Sequence, residues 1–201
     1  FIVKRCDTTS AIASVAASNI RGMHFWADEN KLLYCVGRNV YVYNVGTASS
    51  TTLTNVFATS TGTVGFCEFL YDDGSVKVVG SDGSATSGLI TIDTANTVVT
   101  SADADIPAHH PTPVFLDGYL FIAETNTANI WNSELNSPLS FVADTFIATE
   151  MEADKVVKIA KLNNYIIAFG KTSVEYFWDA ANPAPDSPLQ RNDTPVKINT
   201  Y

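Results

Sequence analysis

Apolar and polar positions fall in short bursts along this chain, and the bursts recur. Four segments share one shape: Glu29-Asn30-Lys31-Leu32-Leu33-Tyr34, Asp73-Gly74-Ser75-Val76-Lys77-Val78, Asp117-Gly118-Tyr119-Leu120-Phe121-Ile122 and Asn163-Asn164-Tyr165-Ile166-Ile167-Ala168. Each is a turn-forming pair followed by a strand-like apolar run. Asp-Gly and Asn-Asn suit the left-handed backbone that tight hairpins demand. The second turn residues, Asn30, Gly74, Gly118 and Asn164, are 44, 44 and 46 residues apart. A strand precedes each turn: Met23 to Trp26, Val64 to Leu70, Pro113 to Leu116 and Val156 to Ala160. Another follows each run: Val40 to Tyr43, Leu89 to Ile92, Ile130-Trp131 and Val174 to Trp178. Weaker stretches close the first three units, at Thr51 to Val56, Thr97 to Thr100 and Phe141 to Phe146.

A unit of about 44 residues therefore holds about four short strands, the length and content of a propeller blade. The second strand of each unit is apolar on consecutive residues, as in Leu120-Phe121-Ile122-Ala123. A strand with one wet face would alternate, so these strands are expected to be packed on both faces. The expected fold is an all-β propeller of four-stranded blades. The blades cover about 20–60, 62–104, 110–150 and 154–180, and 181–201 is a connector into a further blade. A two-sheet sandwich also spaces its strands regularly, but it has no reason to repeat one unit at this interval. An open propeller would bare apolar blade faces. The chain also starts at Phe1 rather than Met. Both points lead to the expectation that sequence is missing and the propeller is incomplete here. Helix signals are confined to the Ala- and Ser-rich Thr8 to Asn19 and to one turn at Met151 to Lys155, and Ala180 to Pro188 reads as irregular.

Composition narrows the function. The net charge is −9, from 12 Lys and Arg against 21 Asp and Glu, which argues against gripping nucleic acid by neutralising phosphates. No apolar run is long enough for a membrane-spanning helix. Cys6, Cys35 and Cys67 are too few for a disulfide scaffold, and Cys35 and Cys67 read as small buried apolar residues.

Candidate chemistry is sparse. His109-His110 lies near Asp103 and Asp105, but neighbours on an extended segment point opposite ways, so a solvated loop between Pro107 and Pro111 is expected instead of a metal site. Glu150, Glu152 and Asp154 form an acidic patch of the kind that can cleave glycosidic bonds, though acids are also common in exposed turns. Gly80-Ser81-Asp82-Gly83-Ser84 lacks the lysine and the strand-to-helix context of a phosphate cradle and reads as a hairpin loop. The aromatics Tyr34, Tyr41, Tyr43, Phe121, Trp131, Tyr176, Phe177 and Trp178 fall at strand positions, where core packing explains most of them. Asn192-Asp193-Thr194 fits a glycosylation acceptor. No catalytic, cofactor-binding or metal-binding residue is assigned, and no cofactor is expected.

Several segments carry a likeness. Ile20-Arg21-Gly22-Met23, Leu33 to Gly37 and Val40 to Tyr43 resemble the opening blade of the packaged-DNA stabilisation proteins, the tail accessory factors or nozzle proteins of short-tailed bacteriophages. Phe115-Leu116-Asp117-Gly118-Tyr119, Asn132 to Asn136, Phe146 to Asp154 and Phe169 to Phe177 resemble later segments of that family in the same order. Arg5-Cys6-Asp7 departs from the Arg-Pro-Gly expected there. The likeness spans about residues 20 to 180. It implies a structural, non-enzymatic component of the virion tail. It further implies a homo-oligomeric six-fold ring below the portal and adaptor, with tail fibre or needle proteins as neighbours. Double-stranded DNA would pass through without sequence-specific contact, being retained and then ejected. The alternative from a different class is a secreted propeller that binds or cleaves carbohydrate.

Overall fold

The computed structural model describes residues 19–150, 154–192 and 196–197. Cys6, the segment Arg5 to Asp7, nearly all of the Thr8–Asn19 stretch, Glu152 with the turn from Met151, and most of the Asn192 triplet lie outside the described residues. Every regular element among the described residues is a strand, and no helix there is long and apolar enough to cross a membrane.

The strands form four antiparallel sheets, each laid out in chain order. The first contains β1 (Ile20–Trp26), β2 (Lys31–Val36), β3 (Asn39–Asn44) and β4 (Ser49–Leu53). The second contains β5 (Gly65–Leu70), β6 (Val76–Ser81), β7 (Leu89–Ile92) and β8 (Val98–Thr100). The third contains β9 (Val114–Leu116), β10 (Tyr119–Ala123), β11 (Asn129–Glu134) and β12 (Ser137–Ala148). The fourth contains β13 (Lys158–Leu162), β14 (Tyr165–Phe169), β15 (Ser173–Asp179) and β16 (Leu189–Arg191), with β17 (Val196–Lys197) also pairing with β15. The stretch expected as a connector after residue 180 thus supplies the outer edge of the fourth blade. Its strand is short and set among prolines, so it has little local signature.

The hairpin turns supply the left-handed residues that the repeat demands. Asn30 has φ 52°, Gly74 82° and Gly118 86°, whereas in the fourth hairpin it is Asn163, at 53°, rather than Asn164. The inner strands β1, β5, β9 and β13 neighbour one another in series, which arranges the sheets radially. At one repeat position this neighbourhood is direct, because His24 and Glu68, 44 residues apart, meet at 3.1 Å.

Three apolar cores lie between successive blades. Trp26, Leu33, Cys35, Val40 and Val42 of the first blade meet Val78, Ile90 and Ile92 of the second. Phe69, Val79 and Leu89 of the second meet Leu120 and Ile122 of the third. Leu116, Phe121, Ala123 and Ile130 of the third meet Ile159, Ile166, Ala168 and Phe177 of the fourth. Consecutive residues of one strand thus belong to different cores: Val78 and Val79 point opposite ways, as do Leu120 and Phe121. Each fully buried Leu, Ile, Val or Phe contributes about 1.5–3 kcal/mol. The outward faces of the end blades are apolar but less covered. Met23 (66% exposed) and Phe25 (51%) lie on one, Tyr165 (38%) and Trp178 (42%) on the other. Among the described residues the sheets do not close into a ring, and the propeller they form is incomplete.

Two glycines allow close approach of the next linker's backbone. A Cβ on Gly22 would stand 2.0 Å from the carbonyl oxygen of Val64, and one on Gly65 would stand 2.0 Å from that of Pro111. Gly22→Ala and Gly65→Ala are each expected to destabilise by about 3 kcal/mol in urea denaturation, because backbone must move. Gly37→Ala meets no atom within 4 Å but has φ +59°, so it is expected to cost about 1 kcal/mol.

Candidate functional site

The topology gathers most of the polar sequence candidates at one end of the blades. The β2–β3, β6–β7, β10–β11 and β14–β15 loops and the three inter-blade linkers all open there. So Arg21, Asp82, His109, Glu124, Asp154 and Glu175 come to this linker end from segments far apart in sequence.

Arg21, Asp82, His109 and Glu175 take part in contacts from a blade to a neighbouring blade or linker, whereas Glu124 accepts from Thr127, Asn129 and Trp131 of its own hairpin. Arg21 gathers the first linker: Nε donates to the Gly62 carbonyl (2.8 Å), Nη1 to those of Gly37 (2.5 Å) and Thr59 (2.8 Å), and Nη2 to the Thr61 carbonyl (2.6 Å) and Thr59 Oγ1 (2.8 Å). Asp82 takes the same linker from the second blade, accepting from the Thr59 amide at 2.8 Å and its hydroxyl at 2.7 Å. Burial works to raise the Asp82 pKa, but the hydrogen bonds from Thr59 and Ser84 prevail and hold it below the ordinary value. Asp154, at the entry to the fourth blade, accepts from the Thr172 amide (2.8 Å) and the Ser173 hydroxyl (2.9 Å); burial works to raise its pKa, but these hydrogen bonds together prevail and lower it.

His109 corrects the sequence expectation. It is 1% exposed rather than solvated, and its ring bridges Ser81 Oγ at 2.8 Å and the Pro107 carbonyl at 2.8 Å. Nothing in the local sequence marks it, because the groups that bury it come from the preceding blade. Burial depresses its pKa, outweighing the Pro107 carbonyl and Asp82, which act the other way. Ser81 and His109 have the hydroxyl–imidazole contact of a nucleophile and its base, but Ser81 is 0% exposed and no substrate reaches it. His110 stands apart on a cleft with Thr125, Asp154 and Lys171. Asp103 caps its own loop and accepts from the Phe141 amide at 2.8 Å. Among the described residues no three His, Cys, Asp or Glu side chains are grouped to hold a metal ion.

Of the acidic patch, Glu150 joins an inter-blade latch. Glu175, 1% exposed, meets Arg191 Nε at 2.9 Å, and Arg191 Nη2 meets Glu150 at 3.0 Å and the Ala148 carbonyl at 3.2 Å. Neither Glu175 nor Arg191 was among the sequence candidates. Glu175 sits in an apolar run, the pattern of a core strand, and its partner lies in the stretch read as a connector. Among the aromatics, Tyr34 and Tyr41 stack at 5.1 Å across a strand pair, and Phe121 and Phe177 are core, while Trp178 is partly exposed. Cys35 is buried as expected, whereas Cys67 is only partly buried; burial raises the thiol pKa of Cys35 to about 11 and of Cys67 to about 12, which disfavours the thiolate.

Comparison with known proteins completes this picture. The description "Bacteriophage P22 Gp10, beta-propeller", of the phage stabilisation family, matches residues 5–196. The chain belongs to this family. It is therefore a component of the bacteriophage virion tail. No curated protein matches. Among solved structures, it is similar to the dihydro-heme d1 dehydrogenase NirN in complex with DHE (TM-score 0.54, 15% identity), covering 79% of this chain and 34% of that one. It is also similar to a 6-phosphogluconolactonase-like protein from Bacteroides uniformis (TM-score 0.50, 14% identity), covering 90% of this chain and 54% of that one. At such identities the likeness concerns the fold alone, and the chain spans about a third and a half of those two proteins.

Two outcomes follow from the latches. Because the His109 pKa is lowered in the fold, its stabilising effect is complete above the unfolded value of about 6.5. It is lost as pH falls from there towards the folded value. Denaturation midpoints measured from pH 7.5 to 5 are expected to decline, and His109→Gln is expected to flatten that decline. Arg191→Met leaves the buried Glu175 without its cation and is expected to cost about 3 kcal/mol by the same measurement.

Proposed function

We propose that this chain is a non-enzymatic structural part of the tail nozzle, forming a six-fold ring below the portal and adaptor. In this reading it extends the DNA conduit, retains the packaged genome and takes part in its ejection. Family membership is the observation that carries the proposal. The linker end adds support, since the Arg21 guanidinium, the Asp82 carboxylate and the His109 imidazole are engaged in contacts between blades and linkers. A stiff body whose loops can be varied suits docking on several sides. The two apolar outer faces are covered, in this proposal, by further blades that complete the ring of sheets. The surplus of acids faces the conduit and keeps DNA mobile, because like charges do not stick.

The carbohydrate-cleaving reading draws on Glu150, Glu152 and Asp154; of these, among the described residues, Glu150 meets Arg191 and Asp154 accepts from Thr172 and Ser173. Imaging of native tails is expected to find six copies around the conduit with an acidic lumen. Virions made without the protein are expected to lose DNA, measured as genome sensitivity to nuclease. A monomer that hydrolyses glycans, or a basic lumen, would overturn the respective part of this reading.

A further inference from the structure

The ladder between β11 and β12 breaks at one place. Trp131 pairs with Phe146, and the next pair is Ser133 with Phe141, so β12 advances five residues while β11 advances two. The surplus residues, 142–145, stand opposite Asn132 alone, and Asp144 among them has φ 64°. Breaks of this kind re-aim side chains and gather at binding sites.

Under the bulge is a cleft of about 420 Å³, closed on its far side by the loop 182–188 that leads to β16. Two buried polar side chains in its lining each leave an oxygen without a partner. Asn132 (4% exposed) leaves Oδ1 unpartnered, and Thr145 (6%) leaves Oγ1 unpartnered. The Asn132 orientation is set, because Nδ2 donates to the Ser133 carbonyl at 3.1 Å. The amide therefore offers an acceptor. Unpaired buried polar atoms each cost about 1–3 kcal/mol, so their persistence beside a cavity calls for a ligand. The rim carries two carboxylates, Glu134 and Asp186, and the lining has no lysine or arginine. Leu135 (55% exposed) and Val142 (44%) form an apolar collar at the mouth.

We propose that this cleft binds an arginine or lysine side chain of a protein partner. The charged head donates to Asn132 Oδ1, Thr145 Oγ1 and the rim carboxylates, and the aliphatic stem crosses the collar. The proposal stands independently of the position in the tail.

The test is titration of the full chain with N-acetyl-arginine amide and N-acetyl-lysine amide, followed by amide NMR shifts. N-acetyl-norleucine amide is the neutral control. Saturable shifts confined to 132–134, 142–145 and 182–188 are expected, with at least tenfold weaker binding in the Glu134→Gln, Asp186→Asn double variant. Both substituted residues are exposed, so folding is preserved, and a circular dichroism melt checks it. Absence of saturation, equal binding of norleucine, or an unaffected double variant would each refute the proposal. A photocrosslinking residue at Leu135 in assembled tails is expected to capture a peptide containing Lys or Arg. Capture of a peptide lacking both, or of none, would reject a protein source.

Discussion

Burial of the middle strands on both faces is the constraint on which the rest of the structure depends. Val78 and Val79, or Leu120 and Phe121, supply apolar surface to opposite sides of one sheet, so no sheet here is satisfied by a single neighbour. A sandwich would wet one face of each sheet, whereas a radial series leaves wet faces only at the two ends of the series. The inner strands must then run side by side, and glycines 22 and 65 allow the carbonyls of the next linker to approach.

Apolar packing fixes how far apart the blades lie, but it is non-directional and tolerates sliding. Directional contacts set the rotation of each blade against the next. Arg21 and Asp82 converge on one linker, His109 ties the second blade to the linker before the third, and Glu175 with Arg191 ties the fourth to the end of β12. A low dielectric strengthens such bonds and makes their loss expensive. A tail body that must hold its shape benefits from this combination. In the cleft under the β12 bulge, by contrast, Asn132 Oδ1 and Thr145 Oγ1 remain without partners, so a ligand finds free acceptors there and not at the linker end.

The repeat was legible because it rests on local chemistry. Asn30, Gly74 and Gly118 adopt the left-handed backbone that their side chains permit, and the strands on either side fall where the apolar runs lie. Outer strands were less legible. β4 ends at Leu53, and Val56, read as part of that strand, instead turns into the first core from the linker. β16 has three residues and no apolar run, so only its pairing with β15 makes it a strand. The family likeness read from scattered hairpin motifs agrees with the match over residues 5–196. Of the polar groups, Asp82, His109, Glu150 and Asp154 lay in segments the sequence singles out, with His109 expected in solvent, whereas Arg21, Glu124, Glu175 and Arg191 carry no local mark.

By itself the sequence determined the strand content, the period near 44 residues and the sandwiching of the middle strands, since turn chemistry and hydrophobic alternation act between near neighbours. Tertiary structure alone decided that His109 is buried, that Glu175 meets Arg191, and that Asn132 and Thr145 border one cleft. Those outcomes depend on groups brought together from different blades or distant loops, and no local pattern encodes the distance between them.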